Sequence, residues 1–172
     1  METIIDFVTG ASMPLVGAEA NRQATEKILV NEKGYSKENI AVDVDLELTI
    51  AGQPYQAQID LVVSVAGKRV MVVKCVAGSL GSREREVVAA ARLLDAYQIP
   101  FAVATDGKSA VTLDTVSGRK MGEGIQSIPS RQVILDRFDS ISWSPYPEQR
   151  LEREKLIFRT YDLGNVNVQR SL

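Results

Sequence analysis

The sequence predicts an α/β domain in which helices flank a mixed central β-sheet, with the core order α-β-β-β-α-β. Three observations predict it. Residues 40–50, IAVDVDLELTI, alternate apolar and polar side chains without a break, the two-residue period of a half-exposed strand. Residues 69–78, RVMVVKCVAG, form an apolar run between Gly67 and Gly78, which predicts a buried strand. A helical segment at 82–97, SREREVVAAARLLDAY, then separates that run from IPFAVATDG at 99–107. The later strand therefore joins the sheet through a crossover.

In order along the chain, residues 1–14 read as a short strand and a loop, punctuated by Gly10 and Pro14. Residues 15–33 read as a helix on which Ala18, Thr25, Ile28 and Leu29 share a face, with Gly34 as its stop. The alternating strand 40–50 puts Ile40, Val42, Val44, Leu46, Leu48 and Ile50 on one side and Asp43, Asp45 and Glu47 on the other. AGQP at 51–54 makes a turn, and Tyr55, Ala57, Ile59, Leu61, Val63 and Val65 continue the alternation into a hairpin. The run after Gly67 makes a third strand, antiparallel to the second. Ser82 is placed to cap the next helix, with Glu84 and Glu86 in its favoured first turn. IPFAVATDG is a fourth strand and SAVTLDTVSG (109–118) a fifth, peripheral one. Ser130 caps a short helix to about Phe138, residues 147–161 form a charged C-terminal helix, and the last eleven residues are expected to be mobile. The whole, 1–172, reads as one domain with its core at about 6–138.

Composition narrows the chemistry. The chain has 172 residues, 45% apolar and 24% charged, an ordinary globular balance. No run is long enough to cross a bilayer, and METIIDFVTG lacks the basic start of a signal peptide. The single cysteine, Cys75, precludes an internal disulfide and fits a reducing cytoplasm. With no histidine, His-activated nucleophiles and His-ligated zinc are excluded. Any metal must be a hard cation held by carboxylates. A net charge of −2 gives no sign of a strong free-standing nucleic-acid binder.

Lys74 stands inside an apolar strand, and a buried ammonium is costly without a partner. Asp60 stands in a similar setting, IDLVV, on the preceding strand. Counting seven residues either side of Gly67 pairs the two. The pairing has two readings: a structural ion pair with Lys74 reaching to water, or a phosphodiester-cleaving site in which a carboxylate holds a divalent metal and a cation stabilises developing charge. Asp43 and Asp45 are read as solvent-facing charges, with an approach to Asp60 across the hairpin as the alternative, Cys75 as a core residue, GSLGS (78–82) as a turn, and Trp143 as a lid on the core.

Several segments in order resemble the N-terminal nuclease domain of type I restriction enzyme R subunits, within the PD-(D/E)XK nuclease superfamily. They are DFVTG (6–10), GAEANRQATEKILVNEKGYSKENI (17–40), QIDLVV (58–63), MVVKC (71–75), YQIPFAVATDG (97–107) and SIPSR (127–131). The resemblance implies a restriction-endonuclease-like fold and Mg²⁺-dependent DNA cleavage. It implies Asp60, Lys74 and Glu19 as catalytic residues, with Arg22 matching the family's first-helix arginine. The metal would be held by Asp60, Glu19 and the Val73 carbonyl, and the partners would be DNA and other subunits of a restriction–modification system. The family's strand motif reads Glu-x-Lys, whereas this chain reads Val72-Val73-Lys74, so cleavage is expected to be impaired. Glu86 or Glu84, on the following helix, is a candidate replacement, although both also suit a helix N-terminus. The alternative is a non-catalytic relative that binds nucleic acid or a partner. No Walker A motif is present, so any translocase must be another chain.

Overall fold

The structure is a computed structural model and describes residues 1–164. Its elements are β1 (Thr3–Ile5), β2 (Ser12–Pro14), α1 (Glu19–Asn31), β3 (Ile40–Ile50), β4 (Gln53–Val65), β5 (Lys68–Cys75), α2 (Glu84–Leu93), β6 (Phe101–Thr105), β7 (Ala110–Asp114), β8 (Lys120–Glu123), α3 (Arg131–Arg137) and α4 (Glu148–Leu163). β1 and β2 pair as a small hairpin, and the other strands form one six-stranded sheet in the order β3-β4-β5-β6-β7-β8. All neighbours are antiparallel except β5 and β6, which are parallel and joined through α2. One face packs Val62, Val72, Ala102 and Ala104 with α2 and Phe158 of α4. The other packs Leu61, Met71, Val73 and Val103 with Leu29 of α1 and Ile134 of α3. The result is the three-layer arrangement expected of an α/β domain. The valines of β5 are fully buried, each contributing about 1.5–3 kcal/mol of transfer free energy.

The β3–β4 hairpin departs from simple alternation in an informative way. Ile40 and Val42 belong to the α1/α3 face, whereas Val44, Leu46, Leu48 and Ile50 belong to the α2/α4 face. In β4, Ala57 and Ile59 lie on the α2/α4 face, but Leu61 and Val63 lie on the other. Both strands therefore hand their apolar row across the sheet between these residues. The ladder passes from Val42↔Leu61 to Val44↔Ile59, and the step between them is Asp43 opposite Asp60. Asp43 has φ 52, a left-handed conformation that aspartate tolerates better than most residues. The expectation that residues 40–50 present one continuous apolar face is corrected here: the crossover of faces centres on two aspartates.

The β4–β5 hairpin turns at Ala66 and Gly67, with φ 51 and 79, as a two-residue hairpin turn of this hand requires. Beyond it the register slips by one residue, from Ser64↔Arg69 to Val63↔Met71, and then runs to Leu61↔Val73. Extended by one step, this register sets Asp60 opposite Lys74.

Other boundaries shift modestly. Ser82 does not cap α2: a 3-10 turn over Gly81–Arg83 comes first, and the Ser82 hydroxyl donates to the Ser79 carbonyl. Ser130 does cap α3, accepting from the Val133 amide at 3.2 Å. In the TDG turn, Gly107 has φ 86, and a Cβ there would lie 3.0 Å from that of Ala24, so the turn packs directly on α1. Two strands were not anticipated, β2 and β8. α4 runs to Leu163, and the remainder of the C-terminal segment expected to be mobile lies outside the described residues. Among the described residues, no helix is long and apolar enough to cross a membrane.

Candidate active site

Lys74 leaves β5 on the α2/α4 face with its side chain 20% exposed. Its ammonium lies 3.8 Å from Asp60 Oδ2 and 3.8 Å from Glu86 Oε2. Asp60 is 1% exposed and also accepts from the Cys75 amide at 2.8 Å. That bond ties its carboxylate to the neighbouring strand and fixes its direction. Glu86 is 3% exposed, and its other oxygen lies 3.3 Å from Arg83 Nη1. The 3-10 turn before α2 swings Arg83 and Glu86 together over the end of β5. Asp60, Lys74 and Glu86 line one small cavity, of about 10 Å³, with Gln58, Phe158 and Asp162 on its walls. A space of that size holds about one water.

The sequence-predicted residues thus divide. Asp60, Lys74 and Glu86 come together. Glu84 does not line the cavity; it lies 3.8 Å from Lys120. Val73 borders the cavity but its side chain is in the opposite core, and it pairs with Leu61 and Val103 on the two neighbouring strands. Val72, where the resembling family has glutamate, is fully buried in the core beneath α2. Cys75 is buried, and burial pushes its thiol well above the usual range, as for an inert core cysteine. Trp143 packs against Tyr97 and Phe138, at 5.2 and 5.3 Å between ring centres. Asp162 and Arg83 are not singled out by the sequence; an arginine three residues before Glu86 is the one available signal.

Glu19 belongs to a second, separate polar cluster. Arg22, 1% exposed, donates to Glu19 at 2.6 Å and to Asp43 at 2.8 Å. Asp6 and Glu26 stand 3.9 and 3.8 Å away. Gln23 donates to both Asp6 and Glu19 and accepts from the Phe7 amide, and Glu26 accepts from the Val8 amide. The cluster fastens the N-terminal hairpin and the kink of β3 to α1. Through Arg22 and Asp43, Glu19 braces the strand position next to Asp60.

Within this cluster the surroundings push the proton affinities of two acids apart. Burial, then the bond to Asp6 and its charge, push Glu26 up to about 8. Burial also acts on Asp6, but bonds from Glu26, Gln23 and Thr9 outweigh it and hold that carboxyl at about 2. Between the ordinary glutamate value and about 8, the folded chain binds one more proton than the unfolded chain. Stability must then fall as pH rises across that window. The expected loss is about 3–4 kcal/mol between pH 5 and 8. Urea unfolding at a series of pH values measures it, and Glu26→Gln should flatten the slope.

Among the described residues no group of three or more His, Cys, Asp or Glu side chains is arranged to hold a metal ion. Asp60 and Glu86 are the two cavity carboxylates beside Lys74, and both are hard oxygen donors. That suits Mg²⁺, which commonly takes one or two carboxylates and completes its shell with water and substrate phosphate.

No curated protein and no solved structure matches the chain. The family described as type I restriction enzyme R protein N terminus (HSDR_N) matches residues 17–129, a span from the start of α1 to the entry of α3 that contains Glu19, Asp60, Lys74 and Glu86. The chain therefore belongs to the family of type I restriction enzyme R protein N-terminal domains.

Proposed function

We propose that this restriction-enzyme-type domain cleaves DNA phosphodiesters at the Asp60–Lys74–Glu86 site, with Glu86 standing in for the strand glutamate replaced by Val72. One observation carries the reading: α2 brings a buried carboxylate to Lys74, on the same cavity as Asp60. Asp60 and Glu86, with the Val73 carbonyl, would hold Mg²⁺. That ion would supply Lewis-acid polarisation of the phosphoryl oxygen. The Cys75 amide keeps Asp60 aimed into the cavity. Lys74, held between the acids, orients the attacking water and stabilises charge developing on the phosphoryl oxygens. Arg83 sets the Glu86 rotamer and adds a second cation beside the same site. DNA and the other subunits of a restriction–modification system are the partners this family assignment favours.

A supercoiled-plasmid nicking assay with Mg²⁺ or Mn²⁺ tests the proposal. Glu86→Gln should reduce the rate by about 10²-fold or more, and chelation should abolish it, whereas Glu84→Gln should leave it unchanged. Equal rates for the parent and Glu86→Gln would refute the assigned role.

A second reading, a non-catalytic domain that binds DNA or a partner, is favoured by the water-sized cavity and by the buried valine at the motif position. Plasmid binding without nicking in either metal selects it.

A further inference from the structure

The acid–amine cavity has a roof that the family match does not include. Its walls comprise Asp60, Lys74 and Glu86 from the sheet and α2, and Phe158 and Asp162 from α4, which lies beyond residue 129. At about 10 Å³, the space admits a water but not a phosphate group.

α4 is held in two distinct ways. At its middle, Glu154 is buried and receives Arg85 at 2.7 Å, Arg92 at 3.2 Å and the Tyr146 hydroxyl at 3.0 Å. This is a strong anchor, because three donors satisfy one buried carboxylate. One turn later Phe158 enters the core. Beyond Phe158 the helix end is held more lightly. The Tyr55 hydroxyl of β4 donates to Asp162, and Arg83 donates to the Tyr161 carbonyl at 3.2 Å. Arg83 is the same side chain that holds Glu86, so one guanidinium links the helix end to the acid of the site. Along the flank of α4, an open groove of about 390 Å³ runs past Arg85, Leu156, Thr160 and Tyr161, so that among the described residues this side of the helix end is open.

We propose that the last turn of α4, Arg159–Leu163, is a gate. Closed, as described here, it confines Lys74, Asp60 and Glu86 to a water-sized space. Opened by release of Tyr55 from Asp162 and of Arg83 from Tyr161, it admits a phosphodiester to Lys74. What the gate admits rests on the function proposed above; that it covers Lys74 does not. Fraying of one terminal turn about an intact anchor is the kind of local opening that folded domains undergo well below global unfolding.

The test reads the Lys74 amine directly. The full chain is treated at one pH with a limiting amount of an amine-acylating reagent, digested at glutamates, and the lysines are quantified by mass spectrometry. In Tyr55→Phe, Lys74 should acylate about tenfold faster than in the parent, the effect expected for losing a hydrogen bond to a charged group. Lys155, on α4 next to the anchor and before the gate, and Lys120, on β8, should stay within twofold. Asp162→Ala should act like Tyr55→Phe, and probes the same contact if the tyrosine variant folds poorly. Unchanged Lys74 labelling in both variants overturns the gate. So does labelling of Lys155 that rises in step with Lys74, because the whole helix has then detached. Plasmid nicking by the same variants separates the two proposals: faster Lys74 labelling with no nicking keeps the gate and removes the nuclease.

Discussion

Arg22→Met should lower the unfolding free energy by about 3–5 kcal/mol, the range for breaking a buried ion pair from one side. The guanidinium is almost wholly buried and bonds both Glu19 and Asp43 in the cluster that also holds Asp6 and Glu26. Burial alone would weaken the charge, but Asp43 first and then Glu19 raise its affinity for the proton far beyond the usual arginine value. Methionine keeps the bulk and removes the charge, leaving carboxylates that must take up protons or draw in water. The loss should therefore be larger at pH 8 than at pH 5. Lysine should not rescue it, since one ammonium cannot reproduce the fork that reaches Glu19 and Asp43 together. Urea denaturation of the parent, Arg22→Met and Arg22→Lys at the two pH values decides the matter. A loss below about 1 kcal/mol, the scale of an exposed pair, would show that the cluster is solvated in solution.

The second large effect is expected at Lys74. Lys74→Met should slow DNA nicking by about 10²–10³-fold, the cost of removing one preorganised group that stabilises transition-state charge. Both neighbouring acids lose the ammonium 3.8 Å away. Affinity for DNA should change much less, since one cation contributes little of a backbone footprint. Single-turnover nicking and a filter-binding titration on the same preparation separate the two. A rate within tenfold of the parent would remove Lys74 from the chemistry.

Much of the frame was legible in the sequence because periodicity and glycine carry it. The buried strand, its hairpin partner, the crossover helix and the Ser130 cap all follow from local pattern. The Asp60–Lys74 pairing was also anticipated, but through two departures that cancel. The turn is centred between Ala66 and Gly67 rather than on Gly67, and the one-residue slip beyond Ser64 restores the register. Pattern could not show the change of faces at Asp43 and Asp60, because a row of alternating residues reads the same whether or not the strand rotates midway. Nor could it show the Arg22 cluster. Polar residues on a helix default to solvent, and only the N-terminal hairpin folding over α1 buries them. β8 escaped because KMGE has neither alternation nor β-branched residues. Glu86 was visible as a candidate, but the residues that roof the site from α4 are distant in sequence and share no motif with it.

The single parallel pairing in the sheet has a consequence for how the molecule assembles. β3-β4-β5 and β6-β7-β8 are each built from chain neighbours and can zip early, since little loop entropy opposes them. Their joining at β5 and β6 must wait for α2 to fold back between them. Asp60 and Lys74 ride on the first trio, whereas Glu86 arrives with the bridging helix. A nascent chain would thus carry an acid and an amine side by side before its second acid is delivered, and would assemble Asp60, Lys74 and Glu86 only once α2 has docked.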